Sequence, residues 1–315
     1  MKFYFIIVLS FLFNQETINF SSANPFSFKD IIISLKSQES QDVYGVLRLP
    51  DSNNSLEKYP LIIGVAGSLG WSAHHKEYME IYRSIGIATF ELKSFSSRGV
   101  TSTVGSQSDV TMAMMVLDSY NALDVLAEHP NIDINKVAIT GWSLGGGVAL
   151  FAAWRKIIDS IGSNNRFIAH LPIYPPCFIQ PENIEFTDSP IHILIGELDD
   201  WTPASACENL VGEISKIKDN IDITVYSNSH HSFDSAISLK KIPDAYSFKN
   251  CMFDMNEEGA ILMNYLNIPM TNPLLQKVGL SFCITRGATV SGNSLAKAKS
   301  LDFSKEFMSK HLLTK

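Results

Sequence analysis

Residues 137–150 read VAITGWSLGGGVAL, a strand-forming run that meets one serine and passes at once into a helix-compatible stretch. Glycines stand two places either side of Ser143, at Gly141 and Gly145, and two more follow. A strand that stops, turns at a single residue and starts a helix leaves no room for a Cβ two places away. Glycines there mark a strained elbow that lifts the serine hydroxyl off the end of a sheet. A chain built round such an elbow is a layered structure, since the strand needs parallel neighbours and the helix needs a sheet to lie on. The plainer reading is a glycine-rich loop feeding a helix, so the motif needs support from the rest of the chain.

That support begins with alternation. The runs IIISLK, VYGVLRLP, PLIIGVAG and IATFELKSF read as strands, with the helix-compatible HKEYMEIYRSIG between the last two. Between Asp109 and His129, the residues Ala113, Val116, Leu117 and Tyr120 keep the i, i+3, i+4, i+7 spacing of an amphipathic helix. It leads to NKVAIT, the strand before the serine. RFIAHLPIYPP, PIHILIGELDD and IDITVYSNSH give three more strands, the second followed by a helix that Pro203 opens. The strands are near-continuously apolar, as buried parallel strands are. The expected fold is therefore α/β, a mostly parallel central sheet with helices on both faces. An irregular insertion runs from about Asp234 to Asn293, and a last helix from roughly Ser294 to Leu312 closes the chain. With no repeat or linker, residues 24–315 read as a single domain.

The first residues, MKFYFIIVLSFLFNQETINFSSANP, carry Lys2, an apolar core from Phe3 to Phe13, and small residues at Ser21, Ser22 and Ala23. They read as a secretory signal, residues 1–23, cut after Ala23; the competing reading is a buried N-terminal strand. The apolar core is too short to span a bilayer, so no membrane span is expected once the signal is removed, and the protein is expected to be secreted or periplasmic. A net charge of −7 repels phosphate backbones, so nucleic acid is not an expected partner. The four cysteines all lie in the second half, and an even count in an exported chain favours disulfides. Four cysteines allow three pairings; because Cys177 follows one strand and Cys207 lies early in the helix after the next, Cys177–Cys207 and Cys251–Cys283 are the expected bridges, with four buried thiols that merely pack as the plainer reading. No cysteine or histidine cluster has metal-ligand spacing, and the reading assigns no metal and no cofactor.

Reactive groups in open α/β sheets gather where strands end at their carboxyl side. Ser143 sits at such an end; so do Asp199 in ILIGELDDWTP and His231 in ITVYSNSHHSFD. A serine hydroxyl becomes a useful nucleophile when an imidazole takes its proton, and a carboxylate must hold that imidazole in one tautomer. His231 is then the base and Asp199 the orienter, with His230 and Asp200 as their neighbouring rivals. The oxyanion that forms on an attacked carbonyl needs fixed donors. The N–H of Leu144 supplies one and the loop AGSLG another, at Ser68 with Leu69 as the alternative. Arg98 and Trp201 lie in loops expected to rim the same crevice, where a guanidinium could grip a substrate carboxylate. The plainer readings are a local ion pair for Arg98 and packing for Trp201.

Taken together, GWSLGGG, LIGELDDWTP, HHSFD and SFSSRGVTSTVG resemble the dienelactone hydrolase family of the α/β-hydrolase superfamily, over roughly residues 43–231 and the closing helix. The resemblance implies the α/β-hydrolase fold and a serine-nucleophile member that cleaves an ester, lactone or related acyl bond through an acyl-enzyme. It also favours Asp199 over Asp200 and His231 over His230. Members that cleave dienelactone use a cysteine nucleophile and a glutamate in the oxyanion loop. This chain has Ser143 and no acidic residue in VAGSLGWS, so dienelactone is not the expected substrate. The histidine common before that loop is Ala66 here. Peptidase and acyltransferase activities would use the same triad on a small-molecule acyl substrate. A non-catalytic envelope binding protein is the alternative from another class, and it would be free to lose one of the three residues, all of which are present.

Overall fold

A computed structural model describes residues 15–50 and 57–314. In chain order the elements are β1 (Gln15–Ala23), α1 (Phe28–Ser34), β2 (Ser40–Arg48), β3 (Tyr59–Val65), α2 (Ala73–Ser84), β4 (Ala88–Leu92), α3 (Ser94–Ser97), α4 (Met112–Ala127) and β5 (Ile132–Trp142). They continue with α5 (Leu144–Phe151), α6 (Arg155–Ile161), β6 (Ala169–Ile173), β7 (Ile179–Pro181), β8 (Ile191–Gly196), α7 (Ala204–Ile214) and β9 (Ile221–Tyr226). The last are β10 (Lys240–Ser247), β11 (Phe253–Met255), α8 (Pro273–Leu280), β12 (Thr285–Val290) and α9 (Ser294–Leu312).

Eight strands form one sheet in the order β1-β2-β4-β3-β5-β6-β8-β9. From β4 to β9 every pairing is parallel, and β2 is antiparallel to both of its neighbours. β3, β4 and β6 are buried along their whole length, which is why they read as unbroken apolar runs rather than as alternation. Helices cover both faces: α2 packs with α9, which lies on β5 and β6, whereas α4 packs with α5 and β1, and α1 with α6. This is the α/β architecture expected from the alternation.

Two sequence expectations are corrected here. IIISLK is not a strand: Ile31 to Ser34 lie in α1 and a single 3-10 turn follows. Its start is fixed by a capping box between Ser27 and Asp30, and only Phe28 and Ile31 are buried, so helical rather than alternate spacing governs the segment. The cut after Ala23 is also overturned, because Gln15–Ala23 is the sheet's edge strand, paired residue by residue with Ser40–Arg48. The small residues there serve packing: the Ser22 hydroxyl donates to Asp118 Oδ1 at 2.6 Å and accepts from Asn121 of α4. The lysine and the apolar run at residues 2–13, on which the signal expectation rests, lie outside the described residues.

The stretch called irregular has short elements of its own. β10 pairs antiparallel with β12 around a bulge, and β11 pairs parallel with β7. Disulfides join Cys177 to Cys207 and Cys251 to Cys283, as the sequence led us to expect. No helix among the described residues is long and apolar enough to cross a membrane.

Candidate active site

β5 ends at Trp142 and α5 begins at Leu144, which leaves Ser143 to make the whole turn at φ 57° and ψ −116°. A left-handed φ on a non-glycine residue costs about 1–3 kcal/mol, so the surroundings must hold it in place. The Ser143 N–H donates to the Ile173 carbonyl at 2.9 Å, and the Gly147 N–H donates to the Ser143 carbonyl at 2.9 Å. A Cβ on Gly141 would stand 2.1 Å from the Gly145 carbonyl oxygen, and one on Gly145 would stand 2.1 Å from that of Val65. Strand and helix approach too closely there for any other residue, which answers why glycines crowd the serine.

The loops after β8 and β9 bring two side chains to Ser143. His231 Nε2 lies 3.0 Å from Ser143 Oγ, and His231 Nδ1 lies 2.7 Å from Asp199 Oδ2. The other Asp199 oxygen accepts from the N–H groups of Trp201 and Thr202, at 2.9 and 2.8 Å. These bonds hold the carboxylate in one orientation. A carboxylate facing Nδ1 fixes the proton on that nitrogen, so Nε2 is left as the acceptor toward Ser143. The His231 ring packs between Tyr174 and Trp201, with centroids at 4.6 and 4.8 Å, and is 1% exposed. Neither rival joins this chain of bonds. Asp200 accepts from the N–H and hydroxyl of Thr289, tying β12 to the β8 loop, and His230 Nδ1 is buried without a hydrogen bond.

The N–H of Leu144 is one of the unpaired donors at the start of α5. Across from it runs the loop after β3, close enough that a Cβ on Gly67 would stand 3.3 Å from Ser143 Cβ. Gly70 N–H donates to the Gly67 carbonyl and Thr103 N–H to that of Ser68, so the turn is held without the side chain that Ala66 lacks. Ser68, Ser143 and Leu144 all line one cavity of about 120 Å³. Leu69 is 56% exposed and does not line it.

Trp201 lines the cavity as well as packing on His231. Arg98 does not reach it, which corrects the expected substrate contact. Its guanidinium is held at Asp118 and also donates to Asn24 Oδ1 and to the carbonyls of Ala23 and Ser94. It staples the β1 end to α4. A buried Asp118 attracts the guanidinium more strongly than a crevice open to water does.

Sequence reasoning missed Thr202 and Tyr174. The Thr202 hydroxyl donates to the Tyr174 carbonyl at 3.0 Å, and its oxygen lies 3.2 Å from both Asp199 Oδ2 and His231 Nδ1. The Tyr174 hydroxyl donates to Asp234 at 3.0 Å; burial, with Asp234 beside it, pushes that phenol well above its ordinary pKa and keeps it a neutral donor. The only signal for Thr202 was its place three residues after Asp199, where a hydroxyl can turn back on a carboxylate. Nothing local marks Tyr174.

A mostly parallel sheet with an elbow serine at the end of a central strand, flanked by helices on both faces, is the α/β-hydrolase fold. Within it, residues 95–247 match the model of the Dienelactone hydrolase family. Protein bem46 of Schizosaccharomyces pombe is 26% identical over 189 residues, 55% of this chain, and the chain spans 60% of that protein's length. Among solved structures, a dienelactone hydrolase-like promiscuous phosphotriesterase from metagenomic libraries superposes with a TM-score of 0.56 at 14% identity, covering 94% of this chain and 98% of its own. Esterase 2 of Thermogutta terrifontis, phosphorylated by paraoxon, gives 0.54 at 15% identity over 87% of this chain and 92% of its own. The family is one of hydrolases, and these two structures share the fold.

Proposed function

We propose that this protein is a serine hydrolase that cleaves a carboxylic ester, lactone or related acyl bond. Ser143 is the nucleophile, His231 the general base and Asp199 the residue that orients it. The observation that carries the reading is the unbroken line of bonds from Asp199 through His231 to Ser143, at 2.7 and 3.0 Å.

Ser143 Oγ attacks the carbonyl carbon as its proton passes to His231 Nε2, and the imidazolium that forms is stabilised by Asp199. Charge on the carbonyl oxygen is met by the N–H groups of Leu144 and Ser68. His231 then gives its proton to the leaving alcohol, which departs and leaves an acyl-Ser143. A water, deprotonated by the same imidazole, attacks the acyl carbon; the acid leaves and Ser143 recovers its proton.

Disulfides are stable in oxidising compartments, so the two in this chain favour a secreted or periplasmic site of action. A fluorophosphonate probe followed by peptide mapping tests the nucleophile: a single adduct on Ser143 is expected. A protein that remains unlabelled, or labelled elsewhere, would contradict the assignment.

A further inference from the structure

The cavity at Ser143 extends away from the oxyanion donors into a wall that the family match does not include. The match ends at residue 247, and Phe248, Phe253, Ile261, Met270, Gln276 and Leu280 all follow it and all line the cavity. The Cys251–Cys283 bridge closes the segment that carries most of them. Opposite stand Phe28 of α1, Met112 of α4, and Phe178 and Ile179 beside the other bridge at Cys177. Phe178 stacks on Phe248 at 4.3 Å between ring centroids and meets Phe253 edge-on, so the two sides of the cavity are packed together rather than loosely apposed.

None of the described residues lining this cavity is charged. Several of its polar groups are already engaged within the protein. Gln276 Nε2 donates to the carbonyls of Ser106 and Gln107, Thr111 donates to the Pro25 carbonyl, and Thr202 donates to that of Tyr174. The one arginine that could have come from the neighbouring loop, Arg98, is committed to Asp118. A carboxylate brought into such a space would lose its water and find no counter-charge, a heavy penalty, whereas an alkyl or aryl group would gain by leaving water.

We infer that the acyl group this enzyme accepts is uncharged and apolar, an aliphatic or aromatic carboxylic ester, and that the segment from Phe248 to Leu280 sets this preference. The inference rests on the serine hydrolase reading above. The segment acts as a fixed wall: the apolar acyl chain lies along Phe248, Phe253 and Leu280 while its carbonyl oxygen faces Leu144 and Ser68.

The test compares three p-nitrophenyl esters of similar length on the full protein with its disulfides intact: hexanoate, the half-ester of adipate with a free terminal carboxylate, and the same adipate capped as its methyl ester. The expected kcat/KM for hexanoate is at least about a hundredfold that for the free adipate half-ester, with the methyl-capped ester restored to within about tenfold of hexanoate. Equal rates on hexanoate and free adipate would overturn the inference. So would a methyl-capped ester as poor as the free acid, since size rather than charge would then decide. Ile261→Trp, which fills the partly exposed side of the wall, should lower kcat/KM for hexanoate at least about tenfold more than for acetate; an equal loss on both contradicts the wall. Fluorophosphonate labelling separates the two levels. A labelled Ser143 with no acyl discrimination defeats only this inference, and a Ser143 that takes no label defeats the hydrolase reading beneath it.

Discussion

Arg98 and Asp118 form a two-pronged ion pair inside the protein, Nη1 lying 2.7 Å from Oδ2 and Nη2 3.0 Å from Oδ1. Both side chains are nearly out of solvent, at 6% and 0% exposure. Removing one partner leaves a buried charge without compensation. Arg98→Ala is expected to lower unfolding free energy by about 3 kcal/mol or more, read by urea denaturation. The ratio of kcat/KM between neutral and carboxylated esters should not move in that variant, because the guanidinium faces α4 and not the cavity. A selective loss on carboxylated esters would return Arg98 to the substrate.

Asp199 and Asp200 are adjacent in sequence but do different work. Asp199→Asn should drop kcat by about four orders of magnitude, the scale expected when an orienting carboxylate is lost and the histidine tautomer with it. Asp200→Ala loses both bonds to Thr289 and should lower stability while retaining most of the activity. Steady-state kinetics on the two variants checks this, and equal losses would contradict the assignment.

How far the sequence foretold these pairs depends on whether a residue's role is set along the chain or across it. Ser143, Asp199 and His231 each follow a strand, and the parallel order places the ends of such strands side by side. Their meeting was therefore legible. So was the pairing of Cys177 with Cys207, which follow from one strand and the next helix. Arg98 was not, since a loop position says nothing about which way a long side chain turns, and its partner lies 20 residues away on α4. β1 was obscured because an apolar run followed by small residues suits both a cleaved leader and an edge strand. The insertion was unreadable for a further reason: its elements are three to eight residues long, and their apolar residues face a cavity as well as a core.

Stability should fall on mild acidification. Burial pushes His170 down to about 4, and His75 lies well below the ordinary histidine range for the same reason, with His74 adding to it. These imidazoles are neutral when folded, so the unfolded chain binds more protons between about pH 6.5 and about pH 4. Stability is full above about 6.5 and is lost progressively as pH falls toward about 4, by roughly 3 kcal/mol for His170 alone. Urea denaturation at a series of pH values checks this. His170→Gln should flatten the slope; a slope identical to that of the unaltered protein would exclude His170 as a source.

The Cys251–Cys283 bridge closes a loop across 32 positions. Replacing both cysteines by serine is expected to cost about 3 to 4 kcal/mol in the chain-entropy account. Peptide mapping without reductant should recover Cys177 joined to Cys207 and Cys251 joined to Cys283, and any crossed peptide would refute the pairing.

The central claim is that Ser143 forms the acyl-enzyme, and the most direct measurement is ester turnover by Ser143→Ala alongside its thermal unfolding. Removing one hydroxyl from the elbow deletes the covalent route while taking little from the packing. The account predicts a fall in kcat of about three orders of magnitude or more with an essentially unchanged unfolding midpoint. Turnover within about tenfold of the unaltered protein, in a variant that is still folded, would contradict it.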